Sequence, residues 1–156
     1  MPFEITAANA TLTITTNGVP GATVNVLMAK TGPSIFQFSG NRAVATNQDN
    51  SLNTSDNPAR IGSFITVYMT GQGTLDSAVT TGAAASASPL SRPLASTTAT
   101  IGGKSAKVLF SGLTPGLAGV AQVNVVVPDG VTPGDNPLVI TTGDVASNQT
   151  TISVTQ

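Results

Sequence analysis

The chain has 156 residues, a formal charge of −1 and no cysteine, which is long enough for one good core plus an appendage. Its six basic and seven acidic residues are spread thinly, so there is no basic stripe to neutralise phosphates, and nucleic acid is not expected as a partner. The lack of cysteine excludes disulfides and thiol catalysis. No run of about 18 apolar residues is present, so we expect no membrane insertion.

The composition favours strands over helices. Aromatic residues make up 4% of the chain and hydrophobic residues 40%, so the core must be built from Val, Ile, Leu and Ala. Thr and Ser account for about a quarter of the residues, and there is a single Glu, whereas exposed helices are usually rich in Glu, Lys and Arg. The weakly charged, Thr-rich surface indicates an extracellular or cell-surface location.

The first element in chain order is a predicted hairpin within residues 1–29. Apolar residues alternate with polar ones on both sides of Asn17-Gly18, a dipeptide typical of two-residue hairpin turns because both positions adopt positive φ. The apolar positions are Leu12, Ile14, Val24, Val26 and Met28. We interpret residues 1–29 as the last two strands of a partial immunoglobulin-like module.

Residues 30–42 are predicted to form a linker between modules. Gly and Pro mark its start at Lys30–Pro33, and the apolar side chains Ile35, Phe36 and Phe38 follow. We expect these three side chains to plug the junction between the two modules.

Residues 43–156 are predicted to form a complete immunoglobulin-like β-sandwich. The β-branched stretch 63–70 is its central strand, and 75–96, rich in Ala, Ser and Thr, is a loop. Further strands are predicted over 97–101, 106–110, 118–127, 137–142 and 150–154, separated by Gly- and Pro-containing turns.

An internal repeat links the two parts. Residues 6–28 align without gaps on residues 132–154, an offset of 126. Leu12 then matches Leu138, and Ile14 matches Ile140. The chain therefore opens with the last hairpin of one module and continues with a whole second module.

Several segments resemble an uncharacterised C-terminal domain family that is abundant in Solibacter and its relatives. They are NQDNSLN (47–53), NPARIGSFITVYMTGQG (57–73), PLSRP (89–93), TIGGKSAKVLFSGLTPGLAGVAQVNVVVP (100–128) and GVTPGDNPLVITTGDVASN (130–148). The resemblance implies an immunoglobulin-like, IPT/TIG-like β-sandwich of secreted bacterial proteins, without any assigned reaction. Members usually have a fuller first module before the stretch matched by residues 2–28.

The residues available for catalysis are few. There is no His for a Ser-based triad and no Cys nucleophile. Lys104-Ser105 lies in a predicted hairpin turn, and Asp129, Asp135 and Asp144 all lie in predicted turns, where Asp is favoured for backbone reasons. We expect no enzymatic activity.

Metal and crosslinking sites receive little support. Asn47, Asp49 and Ser51 have the alternate spacing of calcium ligands, but the loop lacks the Gly and the terminal Glu of such sites and has one carboxylate among the three. We expect no cofactor and no metal site. A Lys–Asn isopeptide crosslink would need a buried acid, and no such trio stands out.

These observations predict a non-enzymatic structural or adhesive module. Its N-terminal strands would pack on a neighbouring chain, to build a filament by strand complementation, or fold back onto their own sandwich. Contacts with neighbouring domains of a larger protein are also expected. The alternative is a carbohydrate- or surface-binding accessory module, in which Tyr68, Phe36 and Phe38 would stack on the sugar rings of a glycan.

Overall fold

The computed structural model describes residues 7–156, and this part of the chain is all-β, without a helix. The predicted all-β class is thus confirmed, and the sheets are consistent with a β-sandwich. The strands are β1 (Asn9–Thr16), β2 (Val19–Leu27), β3 (Ser34–Ile35), β4 (Gln37–Phe38), β5 (Arg42–Ala43), β6 (Ala45–Thr46), β7 (Ala59–Arg60), β8 (Phe64–Thr70), β9 (Thr97–Ile101), β10 (Lys104–Ala106), β11 (Val108–Leu113), β12 (Ala121–Val126), β13 (Gly134–Thr142), β14 (Val145–Ala146) and β15 (Thr150–Thr155).

The strands form two large sheets and one separate hairpin. The larger sheet has the order β10-β9-β13-β15-β5-β4, with β14 beside β13 and β7 beside β15. The smaller sheet has the order β11-β12-β8-β3, with β6 also on β8. Strands β1 and β2 form a two-stranded sheet of their own. Named strand pairs are antiparallel except those of β15 with β5 and β7.

The core consists of aliphatic side chains from both large sheets. Alternate residues of β8 and β12 are buried, as period-two patterning requires. The largest fully buried side chains are Ile35, Ile65, Met69, Ile101, Leu113, Leu138, Ile140, Ile152, Val67, Val123, Val125 and Val127. Each contributes about 1.5–3 kcal/mol relative to an exposed side chain, so this core accounts for most of the favourable free energy of folding.

Residues 34–46, part of which the sequence suggested as a linker, form a short ribbon at one edge of the sandwich. Its outer parts, β3 and β6, pair with β8 in the smaller sheet, whereas β4 and β5 belong to the larger sheet. Ile35 lies opposite Met69 and is buried in the core. The ribbon therefore joins the two sheets instead of separating two modules.

Most other elements lie where the sequence predicts them. The stretch 75–96 contains no strand and is connected by isolated bridges such as Leu75↔Pro93. Ala106 and the residues that follow it belong to two strands, β10 and β11, because the chain passes from the larger to the smaller sheet there. Residues 7–156 contain no helix with the length and apolar character of a membrane span.

Candidate functional site

The N-terminal hairpin has the turn that its sequence predicts. Thr16 pairs with Val19, which leaves Asn17 and Gly18 as a two-residue loop. Their φ angles are 50° and 79°, as a type I′ turn requires. The turn fixes the register, and with it the side of the hairpin on which each side chain lies.

This hairpin has the same register as the hairpin formed by β13 and β15. Leu12 pairs with Val24 in the first, and Leu138 with Thr150 in the second. Each residue of the second pair lies 126 residues after its counterpart in the first. The same holds for the turn pairs Thr16↔Val19 and Thr142↔Val145. The internal repeat is therefore a structural repeat.

The two copies differ in their surroundings. The five apolar positions of the N-terminal hairpin correspond to Leu138, Ile140, Thr150, Ile152 and Val154, all of which are buried. In the N-terminal copy, Leu12 is 51%, Ile14 69% and Val24 56% exposed, while Val26 and Met28 are partly exposed. Among the described residues, β1 and β2 pair only with each other. The apolar face that is buried in the hairpin of β13 and β15 is therefore exposed in the N-terminal hairpin.

The N-terminal copy also lacks a contact that holds its counterpart in the sandwich. Asn148 lies in the connection between β14 and β15; its Oδ1 accepts from the Ile35 amide N at 2.7 Å and its Nδ2 donates to the Ile35 carbonyl O at 3.1 Å. The position 126 residues earlier is Ala22, which offers no hydrogen bond. This role of Asn148 was not predicted from the sequence.

The candidate calcium loop is held by a buried amide. Asn53 Nδ2 donates to the Ser153 carbonyl O at 2.9 Å, and Ser153 N donates to Asn53 Oδ1 at 2.8 Å. This side chain fills the interval between β5 and β7 on the edge of β15 and caps backbone groups that would otherwise be free.

The three suggested calcium ligands hydrogen-bond one another within the loop: Asn47 Nδ2 donates to Ser51 Oγ at 3.4 Å, and the Ser51 hydroxyl donates to Asp49. Asn47 is buried and its Oδ1 accepts from Asn53 Nδ2 at 2.9 Å. Asp49 Oδ1 accepts from the Ser51 amide and hydroxyl, and the hydroxyl bond in particular lowers the pKa of Asp49. Residues 7–156 hold no cluster of three His, Cys, Asp or Glu side chains suited to a metal ion.

Asp135 and Asp144 lie too far apart to form a catalytic pair. Asp135 lies near the start of β13 and Asp144 just beyond its end, so they are separated by about 30 Å of extended strand, far more than paired acids tolerate. Asp135 accepts hydrogen bonds from Arg42 and Ser153, and these, led by the Ser153 bond, lower its pKa. These hydrogen bonds connect β13 to β5 and β15, and we call them the Asp135 clamp.

Aromatic side chains gather on the outer face of the smaller sheet. Buried residues of β8 alternate with Phe64 and Tyr68, which therefore lie on the side away from the core. Phe110 pairs with Asn124 on the same outer face, and its ring contacts the Arg92 guanidinium at 4.7 Å. Phe38 lies in β4 of the other sheet and is not part of this group.

Three backbone hydrogen bonds bring Phe36 beside Tyr68. Phe36 N donates to the Tyr68 carbonyl O at 3.0 Å, Tyr68 N to the Val44 O at 3.0 Å, and Val44 N to the Phe36 O at 2.7 Å. Neighbouring Ile35 points inward, so alternation places Phe36 on the outer side, where it is 40% exposed. The predicted plug is thus divided: Ile35 is core, Phe36 surface, and Phe38 half-buried elsewhere.

The chain has two surfaces that could recognise a partner, the uncovered hairpin and the aromatic sheet face. No family model, curated protein or solved structure matches it. The case for its function therefore rests on the geometry of these two surfaces.

Proposed function

We propose that this protein is a non-enzymatic, extracellular structural subunit whose N-terminal hairpin packs on a neighbouring copy of the chain. The observation that supports this proposal most directly is the contrast between the two hairpin copies. Leu12 and Ile14 are exposed at the positions where Leu138 and Ile140 are fully buried. An extracellular site agrees with the weakly charged, Cys-free composition, and the resemblance to secreted bacterial modules points the same way.

The uncovered hairpin has a strong thermodynamic reason to find a host. Two-stranded hairpins are marginal in water by themselves. Burial of the five apolar side chains would contribute on the order of 10 kcal/mol before the cost of ordering is subtracted. An apolar face of this kind marks an interaction surface in soluble proteins.

The edge of β11 is the acceptor that fits this hairpin best. Strand β11 ends the order of the smaller sheet. Leu113 N already donates to the Ser91 carbonyl O at 2.9 Å, so the part left for a partner is 108–111, which is still longer than β4 or β10 at the other sheet's ends. A groove of about 280 Å³ runs beside it, lined by Pro93, Ala95, Val108 and Leu109 among others. A bulge at Leu109 turns this side chain outward. An incoming strand could contact both the edge and the groove.

This pairing of surfaces would produce a head-to-tail assembly. The donor is the hairpin and the acceptor is a different surface of the sandwich, so the contact is heterologous. Heterologous contacts form rings when the rotation closes and filaments when it does not. We therefore propose a head-to-tail polymer.

The direct test compares two exposed aliphatic side chains. Ile14 is 69% and Leu52 45% exposed, and Leu52 lies outside both the hairpin and the groove. Ile14→Lys places a charge in the proposed contact and should reduce the mass measured by light scattering to that of a monomer, whereas Leu52→Lys should leave it unchanged. Equal scattering from both variants would refute the role of the hairpin.

The acceptor is tested separately. Leu109 and Leu117 are 49% and 46% exposed, but only Leu109 lines the groove. Leu109→Lys should weaken association while Leu117→Lys does not. If Leu109→Lys assembles normally but Ile14→Lys does not, the hairpin binds another surface and β11 is the wrong acceptor.

A further inference from the structure

The aromatic residues of the range 7–156 lie outside the core. The core contains Ile, Val, Leu, Ala and Met side chains, and none of the aromatic residues of the described range 7–156 belongs to it. Large aromatic side chains normally dominate the burial energy of a core. Their exclusion here indicates that they serve a surface.

Four of these residues lie on one surface, the outer face of the smaller sheet. Phe36 lies beside β8, Phe64 and Tyr68 on β8, and Phe110 on β11. Tyr68 pairs with Gln122, and Gln122 pairs with Gly112. A Cβ at Gly112 would lie 2.7 Å from the Phe110 ring, so the missing side chain lets this ring lie across β11.

The side chains between the rings are polar but uncharged. Thr66 and Asn124 pair across β8 and β12 on this face, one step from the Tyr68–Gln122 pair. The Asn124 Oδ1 is buried and has no hydrogen-bond partner within the described residues. The outward positions of β8 and β12 contain no acidic or basic residue. At the margins, Arg92 covers the Phe110 ring, and Lys107 O accepts from Val126 N at the end of β12.

We propose that this face binds neutral polysaccharide chains. The apolar C–H faces of sugar rings pack on aromatic rings, while amide and hydroxyl groups exchange hydrogen bonds with sugar hydroxyls. From Phe36 across β8 and β12 to β11 there are three strand spacings, or about 14 Å. A surface of this length suits several sugar units of a chain laid across the strands.

Other ligand classes fit less well. Nucleic acids and acidic polysaccharides need several cations, whereas the outward positions of β8 and β12 contain none and Arg92 is engaged with the Phe110 ring. An apolar partner would leave the polar side chains of Thr66 and Gln122 without hydrogen bonds, which is costly. This face meets the proposed acceptor of the hairpin only at Phe110 and Arg92, which also line the groove beside β11; Phe36, Tyr68 and Gln122 lie outside that groove.

The site contains its own spectroscopic probe. Tyr68 is the only Tyr of the chain and there is no Trp, so intrinsic fluorescence reports on this face alone. Titration of the full chain with hydroxyethyl cellulose, glucomannan and amylopectin should change Tyr68 emission with at least one of them, and alginate should not. Phe36→Ala should weaken that binding about tenfold, and Gln122→Ala should weaken it as well, while Leu117→Ala should not.

Three results would overturn the inference. One is unchanged Tyr68 emission with all three neutral polymers, or a response to alginate alone. Another is undiminished binding by both Phe36→Ala and Gln122→Ala, with melting curves that show both variants folded. The third is loss of self-association in Phe36→Ala, which would make this face a contact between copies.

Discussion

Two asparagine side chains act as substitutes for strands. Asn53 exchanges two hydrogen bonds with the backbone of Ser153, and Asn148 exchanges two with the backbone of Ile35. In each case a side-chain amide supplies the donor and acceptor that a neighbouring strand would supply. These contacts fasten a long loop to β15 and the ribbon to the opposite sheet.

Removal of the Asn53 amide should be costly. Asn53→Ala leaves the buried N and O of Ser153 without partners, so the free energy of unfolding should fall by about 2–4 kcal/mol. Urea unfolding followed by circular dichroism would measure this. Gln48→Ala removes an exposed amide from the same loop and should change stability by less than about 0.5 kcal/mol. Equal losses of stability in the two variants would contradict this role of Asn53.

The Asp135 clamp should make stability depend on pH. Its hydrogen bonds to Ser153 and Arg42 lower the pKa of Asp135 in the folded chain below 3.8, so this contribution is present above pH 3.8 and is lost as the pH falls through the folded value. The side chain is 52% exposed, which limits the contribution to at most about 1 kcal/mol.

Comparison with Asp135→Asn tests the sign of this effect. The native chain should be the more stable at pH 7, and the difference should vanish in acid. Asp144→Asn, at an exposed turn position, is the matched control and should show no such trend. A difference that grows on acidification would contradict the assignment.

At the scale of elements, the sequence predicted best what repeats over many residues. Alternation over β8 and the Asn17-Gly18 turn gave the strand and the hairpin, and the 126-residue offset is reproduced in the register. The ribbon escaped prediction because its strands have two residues each, too few for a period to show. Asn148 escaped because Asn is equally common in turns. The aromatic face could not be predicted, because it depends on which distant strands pair with one another, and a single sequence does not reveal this pairing.

The attachment of the ribbon to β8 depends on a close backbone approach. A Cβ at Gly71 would lie 1.8 Å from the Gly32 carbonyl O, whereas one at Gly40 would meet nothing within 4 Å. Both residues have positive φ, 80° and 84°, so alanine costs about 1–2 kcal/mol of strain at either site. Gly71→Ala should therefore lower the melting temperature much more than Gly40→Ala does. Equal decreases would show that the backbone at Gly32 and Gly71 can move apart.

At the scale of the whole molecule, the two surfaces have compatible uses. The proposed contact joins the hairpin of one copy to the β11 edge of the next and leaves most of the aromatic face open. A polymer would then present that face many times, and repeated weak sites on one object raise overall avidity. The sandwich core contains no residue of β1 or β2, so the hairpin can be removed without loss of core packing.

Light scattering of the full chain beside a chain lacking residues 1–29 shows whether the hairpin joins one copy to the next. We expect a mass that rises with concentration above the 15.5 kDa of one chain for the full protein, and a constant monomer mass for the shortened one, with the same β-rich circular dichroism in both. A full chain that remains a 15.5 kDa monomer at every concentration would contradict it.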